Sequence, residues 1–205
     1  GYDMRKMAAL VQGVGINDKI YPYKEANKMV REYAIWKSML ERCSEDYWIK
    51  NNAYLNTLCS SNFKLYSFFY KWCNKQIGFN NRDEKGRFWQ LDKDLLTKEH
   101  KVYSEDTCVF VPAKINSLLI SRKSVRGEYP IGVCFDKSAS KLKSQVSLGE
   151  GTVKNLGLFP DVASAFGAYK YNKEMYIKQV ANEYKDQLDP RAYEALMNYE
   201  VNIDD

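Results

Sequence analysis

Two carboxylates and one histidine lie close together in the middle of the sequence. Asp92 and Asp94 are separated by one residue, and His100, the only histidine of the chain, follows in the same polar segment. Paired carboxylates suit the hard cation Mg²⁺, and an imidazole beside them can act as a general base. These residue types predict metal-dependent chemistry. The simpler alternative is that both carboxylates stabilise a turn or pair with Lys93 or Lys98.

A second pattern, between residues 141 and 148, suits binding. Alternate residues are apolar or small, and a strand would place them on one face. The residues between them are Lys141, Lys143, Gln145 and Ser147. The sequence therefore predicts a strand with one packing face and one polar face, and a merely solvated polar face is the simpler alternative.

Three strand-like runs and one long helix are predicted around this pattern. The runs cover residues 131–135, 141–148 and 153–159, and turn residues separate them. After Pro160, apolar residues recur at steps of three, four and seven, which predicts an amphipathic helix. We expect its apolar stripe to cover the packing face of a three-stranded antiparallel sheet.

Short motifs in this stretch resemble those of a known family. The motifs are Gly132-Val133, Leu156-Gly157, Phe159, Ala165-Phe166 and Ala168-Tyr169. The stretch is similar to the Apetala-type (ethylene-response-factor) DNA-binding domain, which is also found in phage homing endonucleases. The resemblance implies that the exposed face of the sheet enters the major groove of double-stranded DNA.

The same resemblance implies which side chains face the DNA. They are Cys134, Lys141, Lys143, Gln145, Ser147 and Asn155. Cys134 stands where the family has an arginine, Leu142 where it has an aromatic residue, and Asn155 where it has a tryptophan. We therefore expect lysine and amide contacts, with much of the affinity coming from phosphates, rather than arginine readout of guanine.

Charge is distributed unevenly along the chain. Residues 122–154 contain seven basic and three acidic residues, whereas residues 183–205 contain two basic and seven acidic ones. A basic body with an acidic tail suits a polyanionic partner. Further candidate DNA contacts in the basic region are Arg122, Lys123, Arg126 and Lys137.

The earlier part of the chain resembles the phage HNH endonucleases. The resemblance rests on the W-x-x-M-L-x-R-C pattern from Trp36 to Cys43, on Leu91-Asp92-Lys93-Asp94, and on a predicted order of strand, loop, strand and helix. It implies a ββα-metal site in which Asp92 and Asn116 bind Mg²⁺. Lys93 stands in the place of the general-base histidine and Thr107 in the place of the middle asparagine, so the implied site is degenerate.

The remaining elements are predicted from periodicity and composition. A helix is predicted from Tyr23 to Cys43, a polar loop from Ser44 to Asn56, and a helix with an aromatic core face from Phe63 to Gln76. A last short helix after Asp189-Pro190 is expected to dock on the preceding helix.

Composition excludes several classes of protein. Five widely spaced cysteines without a C-x-x-C pair, and a single histidine, exclude the usual zinc-finger spacings and predict reduced thiols. The absence of a run of about 18 apolar residues predicts no membrane span. The expected location is the cytoplasm, that of the host cell if the chain is phage-encoded.

Together these patterns predict an α+β protein of two modules. A degenerate ββα, HNH-like module with added helices covers residues 1–121, a basic linker covers 122–128, the Apetala-type domain covers 129–182, and a short helix with an acidic tail covers 183–205. Three hypotheses of function remain open. The chain is a duplex DNA-binding protein of homing-endonuclease lineage with cleavage weakened or lost, an active Mg²⁺-dependent endonuclease, or a module that binds a host protein.

Overall fold

The aromatic residues predicted to form a core do so in a computed structural model, which describes residues 10–98, 100–120 and 127–205. The chain divides into two compact units, one up to Phe110 and one from Val111 to Asp205. In chain order the first unit contains β1 (Lys24–Glu25), β2 (Lys28–Met29), α1 (Arg31–Arg42), α2 (Glu45–Lys50), β3 (Leu58–Cys59), α3 (Tyr66–Lys75), β4 (Gln90–Asp92) and β5 (Val102–Tyr103). Strand β6 (Val109–Val111) includes the boundary between the two units.

The core of the first unit is built from rings. Phe63 lies 4.9 Å from Trp72 and 5.1 Å from Phe69, measured between ring centroids. The Nε1 atom of Trp36 donates a 2.8 Å hydrogen bond to the carbonyl oxygen of Phe63, which satisfies the buried indole. The prediction that this aromatic segment forms a core is confirmed. The short strands pair as β1 with β2, β3 with β5, and β4 with β6.

Two element predictions in the first unit are wrong. Residues 24–29 form a hairpin rather than the start of a helix, because Ala26 and Asn27 adopt positive φ angles of 48° and 64° and turn the chain. Helix α1 begins only at Arg31. Part of the predicted polar loop is helix α2, whose first turn is capped by Ser44, the acceptor of a hydrogen bond from the Tyr47 amide.

The second unit contains α4 (Ala113–Leu118), β7 (Val133–Asp136), β8 (Lys141–Ser147), β9 (Val153–Phe159), α5 (Val162–Glu183) and α6 (Pro190–Met197). The strands form one antiparallel sheet in the order β7, β8, β9, and α5 packs on it. This part of the fold prediction is confirmed. Helix α6 packs on α5, as expected, and the Tyr193 hydroxyl donates a 2.8 Å hydrogen bond to the Asn182 side chain.

Helix α4 was predicted as the end of the first module, but it belongs to the second unit. Its Lys114 ammonium forms a 3.2 Å ion pair with the Glu183 carboxylate at the end of α5. The predicted linker, 122–128, lies mostly outside the described residues.

The core of the second unit lies between the sheet and α5. Val133 of β7 and alternate side chains of β8 meet one stripe of the helix. The buried residues of this cluster are Val133, Leu142, Val146, Ala165, Phe166, Tyr169 and Val201. Asp161 caps α5 by accepting a 2.7 Å hydrogen bond from the Ser164 amide.

A glycine permits the close approach of α5 to the start of β7. Gly132 has a φ of +78°, and a Cβ atom there would lie 2.1 Å from Cδ2 of Tyr169. Two constraints therefore require glycine at this position, a backbone conformation that L residues disfavour and a ring that fills the space of a side chain.

Replacing this glycine tests the packing. We expect Gly132→Ala to lower the free energy of unfolding by about 2–4 kcal/mol, because it adds both backbone strain and overpacking. Gly149→Ala is the matched control, since Gly149 has a φ of +83° but nothing within 4 Å of the added atom. Denaturant unfolding of both variants separates strain from overpacking, and equal losses would contradict the importance of the Tyr169 contact.

Candidate nucleic-acid interface

The three-stranded sheet has one face against α5 and one face turned away from it. We call the second face the outer face. In the strand register Lys143 lies opposite Cys134, Lys141 opposite Asp136, and Gln145 opposite Asn155. The structure therefore places all six sequence-predicted sheet residues on one face: Cys134, Lys141, Lys143, Gln145, Ser147 and Asn155.

A β-bulge decides that Asn155 belongs to this face. Ser144 pairs with Gly157, but the next residue, Gln145, pairs with Asn155, so Leu156 is the extra residue in β9. Gly157 adopts a φ of +111°, and its amide donates a 3.0 Å hydrogen bond to Oδ1 of Asn155. The bulge turns Leu156 towards the core cluster and sets the two amide side chains of Gln145 and Asn155 opposite each other.

The charge on the outer face is moderately positive. Lys141 is exposed and Lys143 is half-buried. The carboxylate of Asp136 accepts hydrogen bonds from Ser138 Oγ at 2.7 Å and from the Ala139 amide at 3.1 Å. These hydrogen bonds hold the pKa of Asp136 below its usual range, so it stays ionised and offsets one lysine.

Two apolar residues of the outer face were missed from the sequence. Leu158 lies opposite Lys143, and Val153 lies opposite Ser147. Their exposed fractions are 46% and 56%. Counting alternate residues back from Phe159 would place Val153 on the packed face of the sheet. The bulge shifts the alternation by one residue, so Val153 lies on the outer face.

Of the remaining basic candidates, the structure describes only Lys137. Lys137 is exposed in the turn between β7 and β8. Arg122, Lys123 and Arg126 lie outside the described residues.

Asp92, the first candidate metal ligand, forms a turn. Its side chain is 6% exposed, and its Oδ2 atom accepts hydrogen bonds from the amides of Asp94 at 3.1 Å and Leu95 at 2.8 Å. Burial raises the pKa of the Asp92 carboxyl, and the Leu95 amide opposes that shift. The observed contacts match the simpler alternative for this residue, turn formation at the end of β4.

The neighbouring candidates have other partners or are exposed. The buried ammonium of Lys93 pairs with the exposed Asp94 carboxylate at 2.5 Å and lies 5.5 Å from the ring centre of Tyr103. His100 is exposed. Thr107, in the place of the middle asparagine, donates a 2.6 Å hydrogen bond to the Val102 carbonyl and accepts one from the Ser104 amide at 2.9 Å. It therefore stabilises the turn between β5 and β6.

Asn116 is half-buried on α4, in the second unit, whereas Asp92 belongs to the first. Within the described ranges, no three histidine, cysteine, aspartate or glutamate side chains form a group that could hold a metal ion.

The cysteines are free, and four of them are buried while Cys134 is exposed. Among the helices that the structure describes, none is both long and apolar enough to cross a membrane.

Comparisons with family models, with curated proteins and with solved structures find no match to this chain.

The turn at Asp92 can be tested by two substitutions. We expect Asp92→Ala to lower the free energy of unfolding by about 1–3 kcal/mol, because it removes the acceptor of two backbone amides. Asp92→Asn keeps an acceptor oxygen and removes a buried charge, so we expect a change within about 1 kcal/mol. Chemical unfolding measures both, and equal losses would show that the carboxylate charge matters more than the turn.

Proposed function

We propose that this chain binds duplex DNA through the outer face of the sheet in its second unit. The observation that supports the proposal is the collection of lysine, amide and hydroxyl side chains on one face while α5 covers the other. Three strands at a spacing of about 4.8 Å make a face roughly 10 Å wide, which fits a major groove about 12 Å wide. The motifs that resemble the Apetala-type domain agree with this mode of docking.

The outer face divides into groups with different tasks. Lys141 and Lys143 supply charge for phosphate oxygens, a contact that positions the protein without reading sequence. Gln145 and Asn155, opposite each other, present amides that suit the edges of adenine. The exposed Leu158 offers an apolar contact for a thymine methyl group. Binding is therefore mainly electrostatic, with a secondary preference for A·T pairs.

The proposal includes a weakened or lost cleavage activity. The carboxylate of Asp92 already accepts two backbone amides, and Asp94 pairs with Lys93. Lys93 stands in the place of the general base, and its ammonium is paired with Asp94 rather than placed to activate water. The second candidate function, an active Mg²⁺-dependent endonuclease, is favoured by the order of β4, its partner strand β6 and the following helix α4.

Two double variants separate charge from base readout. We expect Lys141→Ala with Lys143→Ala to weaken binding to all duplexes at least about tenfold and to reduce the slope of log affinity against log salt by about 2, because two phosphate contacts are lost. We expect Gln145→Ala with Asn155→Ala to leave that slope unchanged and to reduce discrimination among duplexes selected from a random pool.

Fluorescence anisotropy over a salt series measures both effects. The matched control is Lys24→Ala with Lys28→Ala, which removes the same charge from exposed strand positions of the first unit. If the control and the Lys141 and Lys143 variant behave alike, the outer face is not the interface. If no duplex binds the unaltered chain at low salt, the DNA proposal fails and a protein partner becomes the leading hypothesis.

Cleavage is tested on supercoiled plasmid with Mg²⁺ or Mn²⁺. We expect retarded but intact plasmid on a native gel, since the carboxylates are engaged within the protein. Metal-dependent nicking that is abolished by a chelator would instead support the endonuclease and would contradict the loss of cleavage.

A further inference from the structure

A lysine interrupts the apolar stripe of α5. Lys173 lies four residues after Tyr169 and four before Ile177, and both of these neighbours are buried. Lys173 itself is only 8% exposed. Among the residues that the structure describes, it makes no hydrogen bond and no ion pair. A lysine that is buried in a protein core usually has a partner.

This burial is unfavourable for the isolated protein. Lys173 is 8% exposed as a whole, but its Nζ atom is not among the fully buried polar atoms without a partner, so the carbon stem lies in the stripe while the ammonium keeps limited contact with water. Partial loss of hydration without a partner is still a cost. Burial lowers the pKa of Lys173, and no carboxylate among the described residues opposes that shift. A hydrocarbon side chain would suit the stripe better than Lys173. An ammonium at this position would be matched by an anion bound from another molecule.

Lys173 lines a cleft that can admit such an anion. The cleft has a volume of about 520 Å³ and lies within the second unit. Helix α4 contributes Ser117, and strand β8 contributes Gln145 and Ser147. Glu150 also lines it, but this residue is exposed. The wall therefore combines one cation, hydroxyl and amide donors and one carboxylate with apolar side chains such as Leu118, Ile131 and Val153.

The cleft is continuous with the outer face of the sheet. Gln145 and Ser147 belong to both surfaces. The Ser147 oxygen accepts a long hydrogen bond of 3.4 Å from the Gly149 amide, which leaves its hydroxyl hydrogen available as a donor. A phosphate placed beside these two residues would therefore occupy the same cleft as Lys173.

We propose that this cleft is a phosphate-binding site in which Lys173 pairs with one backbone phosphate of the DNA duplex on the outer face. The inference rests on the proposed function. A phosphodiester carries a single negative charge, which one lysine neutralises, and its free oxygens can accept from the hydroxyl of Ser147 on β8. Lys173 thus adds a contact on a helix whose neighbouring residues serve the core.

The test compares Lys173→Met with Lys178→Met. Lys178 is half-buried on the same helix, away from this cleft, so the control removes the same charge. We expect Lys173→Met to raise the melting temperature, to weaken duplex binding about tenfold and to reduce the salt slope by about 1. We expect Lys178→Met to leave the affinity and the slope close to those of the unaltered chain. A merely structural lysine would not combine a gain of stability with a loss of binding.

Two further measurements keep the test decisive if the methionine variant folds poorly. Lys173→Gln removes the charge but keeps polarity, and its binding is measured in the same way. Inorganic phosphate, added at an ionic strength matched by sodium chloride, should raise the melting temperature of the unaltered chain and leave that of either Lys173 variant unchanged.

The failures of the two proposals are distinguishable. If the unaltered chain binds duplex DNA and both Lys173 variants bind with the same affinity and slope, the phosphate site is wrong while the DNA-binding face stands. If the unaltered chain binds no DNA, the proposed function fails. In that case, stabilisation by phosphate that depends on Lys173 would identify a site for free phosphate, and its absence would reject the site as well.

Discussion

Burial of Leu142 and Val146 against helix α5 orients every side chain on the outer face of the sheet. Each buried side chain contributes about 1.5–3 kcal/mol, and neither can reach the helix if the strand shifts by one residue. Because side chains alternate along a strand, this packing commits Lys141, Lys143 and Gln145 to the opposite face. The polar face is thus a consequence of the core behind it.

The position of α5 depends in turn on one close approach. Gly132 lacks the side chain that would collide with Tyr169, so the helix can lie near the start of β7. The same helix carries Lys173 within its buried stripe, one turn beyond Tyr169. A stripe of apolar residues serves stability, whereas an interrupting cation reduces it. A lysine in this stripe, without a partner among the described residues, fits the proposed anion site, in which some stability is lost for the sake of binding.

The first unit uses its candidate catalytic residues differently. Asp92 and Thr107 hold turns through hydrogen bonds to backbone amides and a carbonyl. Asp92 ends β4 and Thr107 precedes β6, two of the short strands on whose order the HNH resemblance rests. Residue types suited to metal chemistry are equally suited to turns, because a carboxylate accepts hydrogen bonds as readily as it binds a cation. Their local hydrogen bonds, which the sequence does not show, favour the structural use.

Local patterns alone determined much of the second unit. Alternation predicted the three strands and the polar outer face, and helical periodicity after Pro160 predicted α5, since both signals depend only on the neighbours along the chain. Turn geometry at Ala26 and Asn27, the Ser44 cap and the bulge at Leu156 were not predicted. Each depends on a backbone conformation that competes with a periodic pattern. Tertiary structure alone decided that the stem of Lys173 lies in a buried stripe with no partner among the described residues, and that α4 belongs with α5, because burial and partnership are set by residues distant in sequence.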